Sequence, residues 1–224
     1  MSSSPFRTVD VTQTSALAIN KVLRNTYLLL SATLAFSALT AGVAMAFGMP
    51  FMNPLLTMAV YFGLLFATHK LQNSAWGILA VFALTGFLGL TLGPIISAYL
   101  KFLPDGHQVV VTALGTTAVA FLGLSAYAVK SGRDFSFMGG FLTVGILAAF
   151  VLSLIAMFFH LQTLSLIVSG MFVLAMGGFI LYETSSILRG EQTNYITATV
   201  SLYVSIYNLF VSLLNILGYG SRNN

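Results

Sequence analysis

The sequence predicts an all-α membrane protein: seven transmembrane helices, with the last one central in the bundle. Three observations predict it. Of the 224 residues, 58% are hydrophobic and only 6% charged, against roughly 25% charged in soluble domains. The apolar residues fall in long runs, close to the ~20 residues a helix needs to cross hydrocarbon, rather than in the ~10-residue alternating segments of a barrel. The last run carries a polar stripe, which is unfavourable against lipid and so belongs inside the bundle, ringed by the other six helices.

The runs cover residues 25–47, 51–68, 75–100, 108–129, 136–159, 162–186 and 194–218. The first starts polar rather than basic and is read as a retained span, although "AMA" (44–46) resembles a leader cleavage site. "GMPFMNP" (48–54) separates it from the second, a short run that stops at "HKLQNS" (69–74). The third contains "GFLGLTLGP", where Gly86, Gly89 and Gly93 give a loose small-xxx-small spacing suited to close helix packing. Pro94 follows and should kink that helix, because it removes a backbone donor. "KFLPDGH" (101–107) and "KSGRD" (130–134) bound the fourth run. The fifth, which holds Gly139 and Gly140, turns tightly through "HLQ" (160–162) into the sixth, and "RGEQ" (189–192) closes that one. The organisation is therefore an N-terminal tail at 1–24, a transmembrane domain at 25–218 and a short C-terminus at 219–224, with no soluble domain and no convincing repeat.

Orientation follows from basic residues, which accumulate in cytoplasmic loops. With the N-terminus inside, seven of the nine Lys and Arg are cytoplasmic: Arg7, Lys21, Arg24, Lys70, Lys130, Arg133 and Arg189. Only Lys101 and Arg222 lie on the other side. Seven spans then place the C-terminus outside, periplasmic in a bacterium. The same bias accounts for the net charge of +4, so no nucleic acid is needed to explain it.

The seventh run is the least apolar. Its Asn194, Thr197, Ser201, Ser205, Asn208, Ser212 and Asn215 are spaced 3, 4, 4, 3, 4 and 3 residues apart, a rhythm that keeps all of them on one helical face. At ~1.5 Å per residue the stripe is roughly 32 Å long, enough to cross the hydrocarbon. Two uses fit it. Ser, Thr and Asn hold transmembrane helices together by hydrogen bonds, or they line a hydrophilic path.

Chemistry-bearing residues are sparse. The chain has no cysteine, which removes disulfides, thiolate catalysis and thiolate metal sites. His69, His107 and His160 fall in three different loops on two sides of the membrane, so they cannot join in one metal site. There is no GxSxG elbow and no pair of intramembrane acids. The reading is a non-enzyme with no cofactor and no metal. One acid of the five in the chain is different: Glu183 lies about one turn from the cytoplasmic end of the sixth span. It is either an interfacial acid or an intramembrane titratable site. Lys70, Lys130, Arg133 and Arg189 share its side of the membrane and are candidates to pair with it.

"GFLGLTLGPI" (86–95), "DFSFMGGFL" (134–142), "ILYETSSILRGEQTNYI" (180–196) and "SLYVSIYNLFVSLLNILG" (201–218) resemble the Bax-inhibitor-type transmembrane family over nearly the whole chain. The resemblance implies a seven-helix bundle with the last helix in the centre. It is strongest to a bacterial inner-membrane branch, which implies an FtsH-type membrane AAA protease as partner and modulation of that protease as function. Many members carry two Asp residues, one in each of the last two helices, implicated in a pH-dependent calcium or proton leak. The matching positions here are Glu183 and Ser205. One acid is kept in altered form and the other is lost, so a carboxyl pair sharing a proton cannot form. The family's basic partner near the end of the second helix is matched only by neighbours, His69 and Lys70. Glu183, Ser205 and Lys70 are thus the candidate pH-sensing or ion site. Two function classes result: a protease regulator in the lipid bilayer, and a cation or proton leak channel.

Overall fold

A computed structural model gives the fold; it describes the backbone of residues 6–222 and the side chains of 16–221. Seven α-helices follow one another: α1 Phe6–Ala46, α2 Pro54–Leu71, α3 Trp76–Phe102, α4 Gly106–Ser131, α5 Met138–Phe158, α6 Gln162–Leu188 and α7 Tyr195–Arg222. No strand occurs among the described residues. Every helix holds a stretch long and apolar enough to cross a membrane, that of α1 being Ala16–Ala46. Large apolar side chains such as Leu28, Phe66, Val119, Phe141 and Leu174 stand exposed on the outside, as a lipid-facing surface requires.

The helices match the expected spans in order, and the differences are at the chain ends. Helix α1 already runs from Phe6, so the stretch 6–24 expected as a tail has helical backbone, and residues 1–5 lie outside the described residues. Helix α7 runs on to Arg222, and residues 223–224 of the expected C-terminus lie outside as well. The boundaries have local causes. Asn53 caps α2 through its side-chain oxygen, which accepts from the Leu55 N–H at 2.9 Å, and Pro54 follows at the first helical position. Gly132 ends α4 with φ +60°, its N–H donating to the Ala128 carbonyl at 3.3 Å. Pro94 does not interrupt α3, which is continuous on both sides of it.

Helix α7 is the hub. It packs against α1, α2, α3, α4 and α6, whereas the backbone of α5 packs only on α6. The expectation that six helices ring α7 is corrected to that extent: α5 buries Leu142, Ala149 and Ala156, but its backbone does not pack on the hub. The closest partnership is α1 with α3, and the glycines explain it. A Cβ on Gly89 would strike Thr40 Oγ1 and the Ser37 backbone, and one on Gly93 would strike Ala44. Only hydrogen fits there. Gly178 plays the same part between α6 and α5, where an added Cβ would come within 2.8 Å of Leu142.

The α2–α3, α4–α5 and α6–α7 loops gather at one end of the bundle with Lys70, Lys130, Arg133 and Arg189. This is called the basic end below, and the opposite end the far end.

Candidate functional site

Glu183 lies on α6 five residues before its end and is only 4% exposed. Among the described residues its carboxyl group has one hydrogen bond, a long one of 3.4 Å, from Gln192 Nε2 in the following loop. No cation pairs with it among the described residues. Lys70 is exposed at the end of α2 and is outside ion-pair reach of Glu183. Arg189, the basic residue nearest in sequence, turns the other way, to Asp134 and to Glu191, with Nη2 2.8 Å from Glu191 Oε1. Ser205 is 1% exposed, and its hydroxyl donates to the Ser201 carbonyl of its own helix at 2.9 Å. The three residues of the candidate ion site are therefore separate: a buried acid near the end of α6, a buried hydroxyl near the middle of α7, and an exposed amine on α2.

The polar stripe divides by position. At the basic end it joins elements. Asn194 is the N-cap of α7 rather than a helical residue: Oδ1 accepts from the Ile196 and Thr197 N–H groups at 2.9 and 3.2 Å. Its Nδ2 donates to the Gln72 carbonyl at 3.0 Å and to Asn73 Oδ1 at 2.9 Å, while the Thr197 hydroxyl donates to Gln72 Oε1 at 2.6 Å. These bonds fasten the α2–α3 loop to the start of α7. At the far end Asn215 Nδ2 donates to Ser165 Oγ and Ser169 Oγ of α6, both at 2.9 Å. The middle joins nothing: Ser205 bonds within α7, as does Asn208, whose Nδ2 donates to the Val204 carbonyl at 2.8 Å.

What the middle of the stripe does instead is border open space. A cavity of about 550 Å³ near the basic end lies between α2 and α7, lined by Phe62, Thr68, His69, Thr197 and Ser201. A second of about 370 Å³ near the far end lies between α5, α6 and α7, lined by Ser153, Ser165, Ser169, Asn208, Ser212 and Asn215. Both uses expected of the stripe are present, glue at its ends and cavity wall between them.

The bonds that tie α7 to the middle of the bundle lie on its other face. The Tyr203 hydroxyl meets Ser37 Oγ of α1 and donates to the Thr85 carbonyl of α3 at 3.2 Å. The Tyr207 hydroxyl lies 2.9 Å from Thr91 Oγ1 of α3. Thr199 Oγ1 reaches the Tyr195 carbonyl at 2.7 Å and the Thr26 carbonyl of α1 at 3.2 Å. Sequence reasoning passed over these residues. The signal was present: a tyrosine four residues from another in a membrane span needs a partner for each hydroxyl.

A third cluster closes the basic end. Ser185 Oγ of α6 donates to the Arg133 carbonyl at 3.1 Å and accepts from the Phe135 N–H at 3.3 Å, so the α4–α5 loop is stitched to α6. Asp134 adds its ion pair to Arg189. Its carboxyl is held below the ordinary carboxylate range, first by hydrogen bonds from Ser136 and then by the Arg189 charge.

Comparison with known proteins places this architecture. The family model described as inhibitor of apoptosis-promoting Bax1 matches residues 19–223. The chain belongs to the Bax-inhibitor family. Among family relatives, it is 48% identical over 211 residues to the modulator of FtsH protease YccA of Escherichia coli K12, covering 94% of this chain and 95% of that one. It is 50% identical over 200 residues to an uncharacterized protein of Pseudomonas aeruginosa, covering 89% and 90%. With an uncharacterized membrane protein of Vibrio cholerae it shares 43% identity over 223 residues, covering 99% and 100%. The central α7 is what the family resemblance implied. None of these relatives carries the name of an enzyme.

Proposed function

We propose that this Bax-inhibitor family member is a non-enzymatic protein of the bacterial inner membrane that binds and modulates an FtsH-type AAA protease. The single observation that carries the reading is the match, over 94% of this chain and 95% of the other, with the relative named modulator of FtsH protease. A relative of equal identity in another Escherichia coli strain is named an inner membrane protein. In this reading the basic end is cytoplasmic. A protease that pulls from that side engages the residues ahead of Ala16, where the membrane-length stretch of α1 begins. It then meets a bundle whose α1, α3 and α7 are tied by Tyr203, Tyr207 and Thr199. Slow extraction occupies the enzyme and spares its other membrane substrates. Co-purification with the protease from mild detergent, and slower ATP-dependent degradation of a second membrane substrate, are the expected results. An unchanged degradation rate at saturating amounts of this protein refutes the reading.

A second reading, a pH-sensitive calcium, cation or proton leak, has one observation in its favour: a buried carboxyl group, Glu183, with no cation paired to it among the described residues. Such a group is functional by default inside a membrane. Ion flux in proteoliposomes over a pH series, wild type against Glu183→Gln, tests it. Equal flux in both removes Glu183 from any conducting role. Ser205→Asp asks the complementary question, whether a second acid adds a pH-dependent cation leak to whatever the natural chain shows.

A further inference from the structure

The two cavities beside α7 do not meet. The basic-end cavity reaches Ser201 and the far-end cavity begins at Asn208. Ser205, on the same face between them, is 1% exposed. Helices α2 and α5 flank this interval, yet their backbones do not pack on each other. A ring contact bridges them: Phe62 and Phe150 meet edge to face with centroids 5.9 Å apart. Phe62 belongs to the wall of the basic-end cavity. Phe150 lies one helical turn from Ser153, which belongs to the wall of the other. The aromatic contact therefore falls where the open space stops. Helix α2, which carries it, has a single buried residue, Thr68, so little else fixes the Phe62 side of the contact.

We propose that the two cavities are the halves of one hydrophilic path for water and small uncharged polar solutes, held shut at mid-membrane by the Phe62–Phe150 contact. The chemistry of the walls selects the solute. Their polar part is hydroxyls from Thr197, Ser201, Ser212, Ser165 and Ser169 and the carboxamides of Asn208 and Asn215, set among apolar side chains such as Leu65, Phe66, Met157 and Phe172, and there is no carboxylate, lysine or arginine. His69, at the basic-end mouth, is their one titratable group. Water, glycerol or urea exchanges hydrogen bonds with such a wall at little cost. An ion gives up its hydration shell and finds no opposite charge to replace it. Glu183 is on neither wall, so the path is independent of that acid and of protease binding. The middle of the stripe suits the task because Ser205 donates its hydroxyl and Asn208 one of its two amide hydrogens within α7, and their oxygens keep acceptor capacity.

The absence of cysteine makes the test direct. Single variants Ser201→Cys, Ser205→Cys and Ser212→Cys are reconstituted in proteoliposomes and exposed, from each side in turn, to a hydrophilic thiol reagent that does not cross bilayers. The expected pattern is reaction of Ser201→Cys from one side only, of Ser212→Cys from the opposite side only, and of Ser205→Cys from neither. Adding Phe150→Ala, or separately Phe62→Ala, should speed Ser205→Cys labelling at least tenfold. Stopped-flow light scattering should then show a several-fold rise in water and glycerol permeability with cation flux unchanged. Retained one-sided labelling at Ser201→Cys and Ser212→Cys reports that each alanine variant is folded; where one is not, Phe62→Leu or Phe150→Leu, which keeps apolar bulk while losing the ring contact, takes its place. Fast labelling of Ser205→Cys with both rings intact overturns the proposal. So does labelling of Ser201→Cys and Ser212→Cys from the same side, or permeability that ring removal leaves unchanged. A cation flux that rises together with water overturns the uncharged-solute assignment.

Discussion

Substituting Gly89 by alanine adds one methyl group, and the structure says where it goes. On Gly89 an added Cβ would overlap Thr40 Oγ1 and the Ser37 carbonyl oxygen and lie 2.9 Å from Ser37 Cα. Two of those three atoms are backbone, so no rotamer change relieves the contact, and α1 must move off α3. On Gly86 the added Cβ would lie 2.6 Å from Phe36 Cε1, the far end of a ring that can turn aside. On Gly140 nothing stands within 4 Å. Alanine gains about 1 kcal/mol over glycine from helix propensity at each site. Overpacking a tight interface costs about 1–3 kcal/mol and occasionally more. The expected order is a Gly140→Ala variant that is neutral or slightly more stable, a Gly86→Ala variant near neutral, and a Gly89→Ala variant destabilised by up to about 2 kcal/mol net. Thermal unfolding in one detergent, followed by loss of the monodisperse chromatographic peak, ranks the three. A Gly89→Ala protein as stable as Gly140→Ala would refute the claim that backbone contact sets the α1–α3 distance.

Tyr203→Phe deletes the hydroxyl that joins α7 to Ser37 and to the Thr85 carbonyl; about 1 kcal/mol of stability should be lost, as for other interhelical bonds in membranes, measurable by the same unfolding assay. Asp134 gives a pH limb. Its carboxyl titrates below the ordinary value near 3.8 because Ser136 and then Arg189 favour the charged form. Its stabilisation is therefore complete above that ordinary value and disappears as pH falls through the lower, folded-state value. Asp134→Asn should flatten that acid limb, lowering stability slightly in the neutral range and converging with the natural chain as pH falls, and high salt should remove the Arg189 share while sparing the Ser136 share; melting profiles of the two proteins that already coincide at neutral pH would contradict it. Reporter fusions in the 130–134 loop and after Asn224 should fall on opposite sides of the membrane, and the same side for both would exclude three spans between them.

The spans were legible because hydrocarbon thickness fixes run length, and the stripe because a 3–4 spacing fixes a face. Neither rule says which neighbour covers a face. That is why α5 was expected around α7 and is found beyond α6. It is also why Glu183 could not be given a partner from sequence: four basic residues share its end of the bundle, and the fold commits Arg189 to Asp134 and Glu191 instead. Asn194 fits the periodicity of the stripe yet acts as an N-cap, since helical spacing continues formally one residue past a helix start. The Gly86, Gly89 and Gly93 spacing was read as suited to close packing, but the partner helix, α1, became visible only with the backbone clashes at Ser37 and Ala41.

The two faces of α7 divide the work of a membrane helix in a way that substitutions can separate. On one face Tyr203 and Tyr207 spend their hydroxyls on fixed partners in α1 and α3. Polar groups with fixed partners hold a helix in place and leave no site for water. On the other face Ser205 and Asn208 bond to the carbonyl four residues back, a bond that survives whatever happens beside the helix. That face can be dry or wet at little cost to the fold. Resistance to extraction by a pulling protease therefore resides with the tyrosines, and any passage of solute with the serines and asparagines. Tyr203→Phe should weaken the first and leave thiol labelling along the stripe as it was, while Phe150→Ala should do the reverse. A chain in which either change altered both properties would have α7 moving as one body, with its two faces coupled.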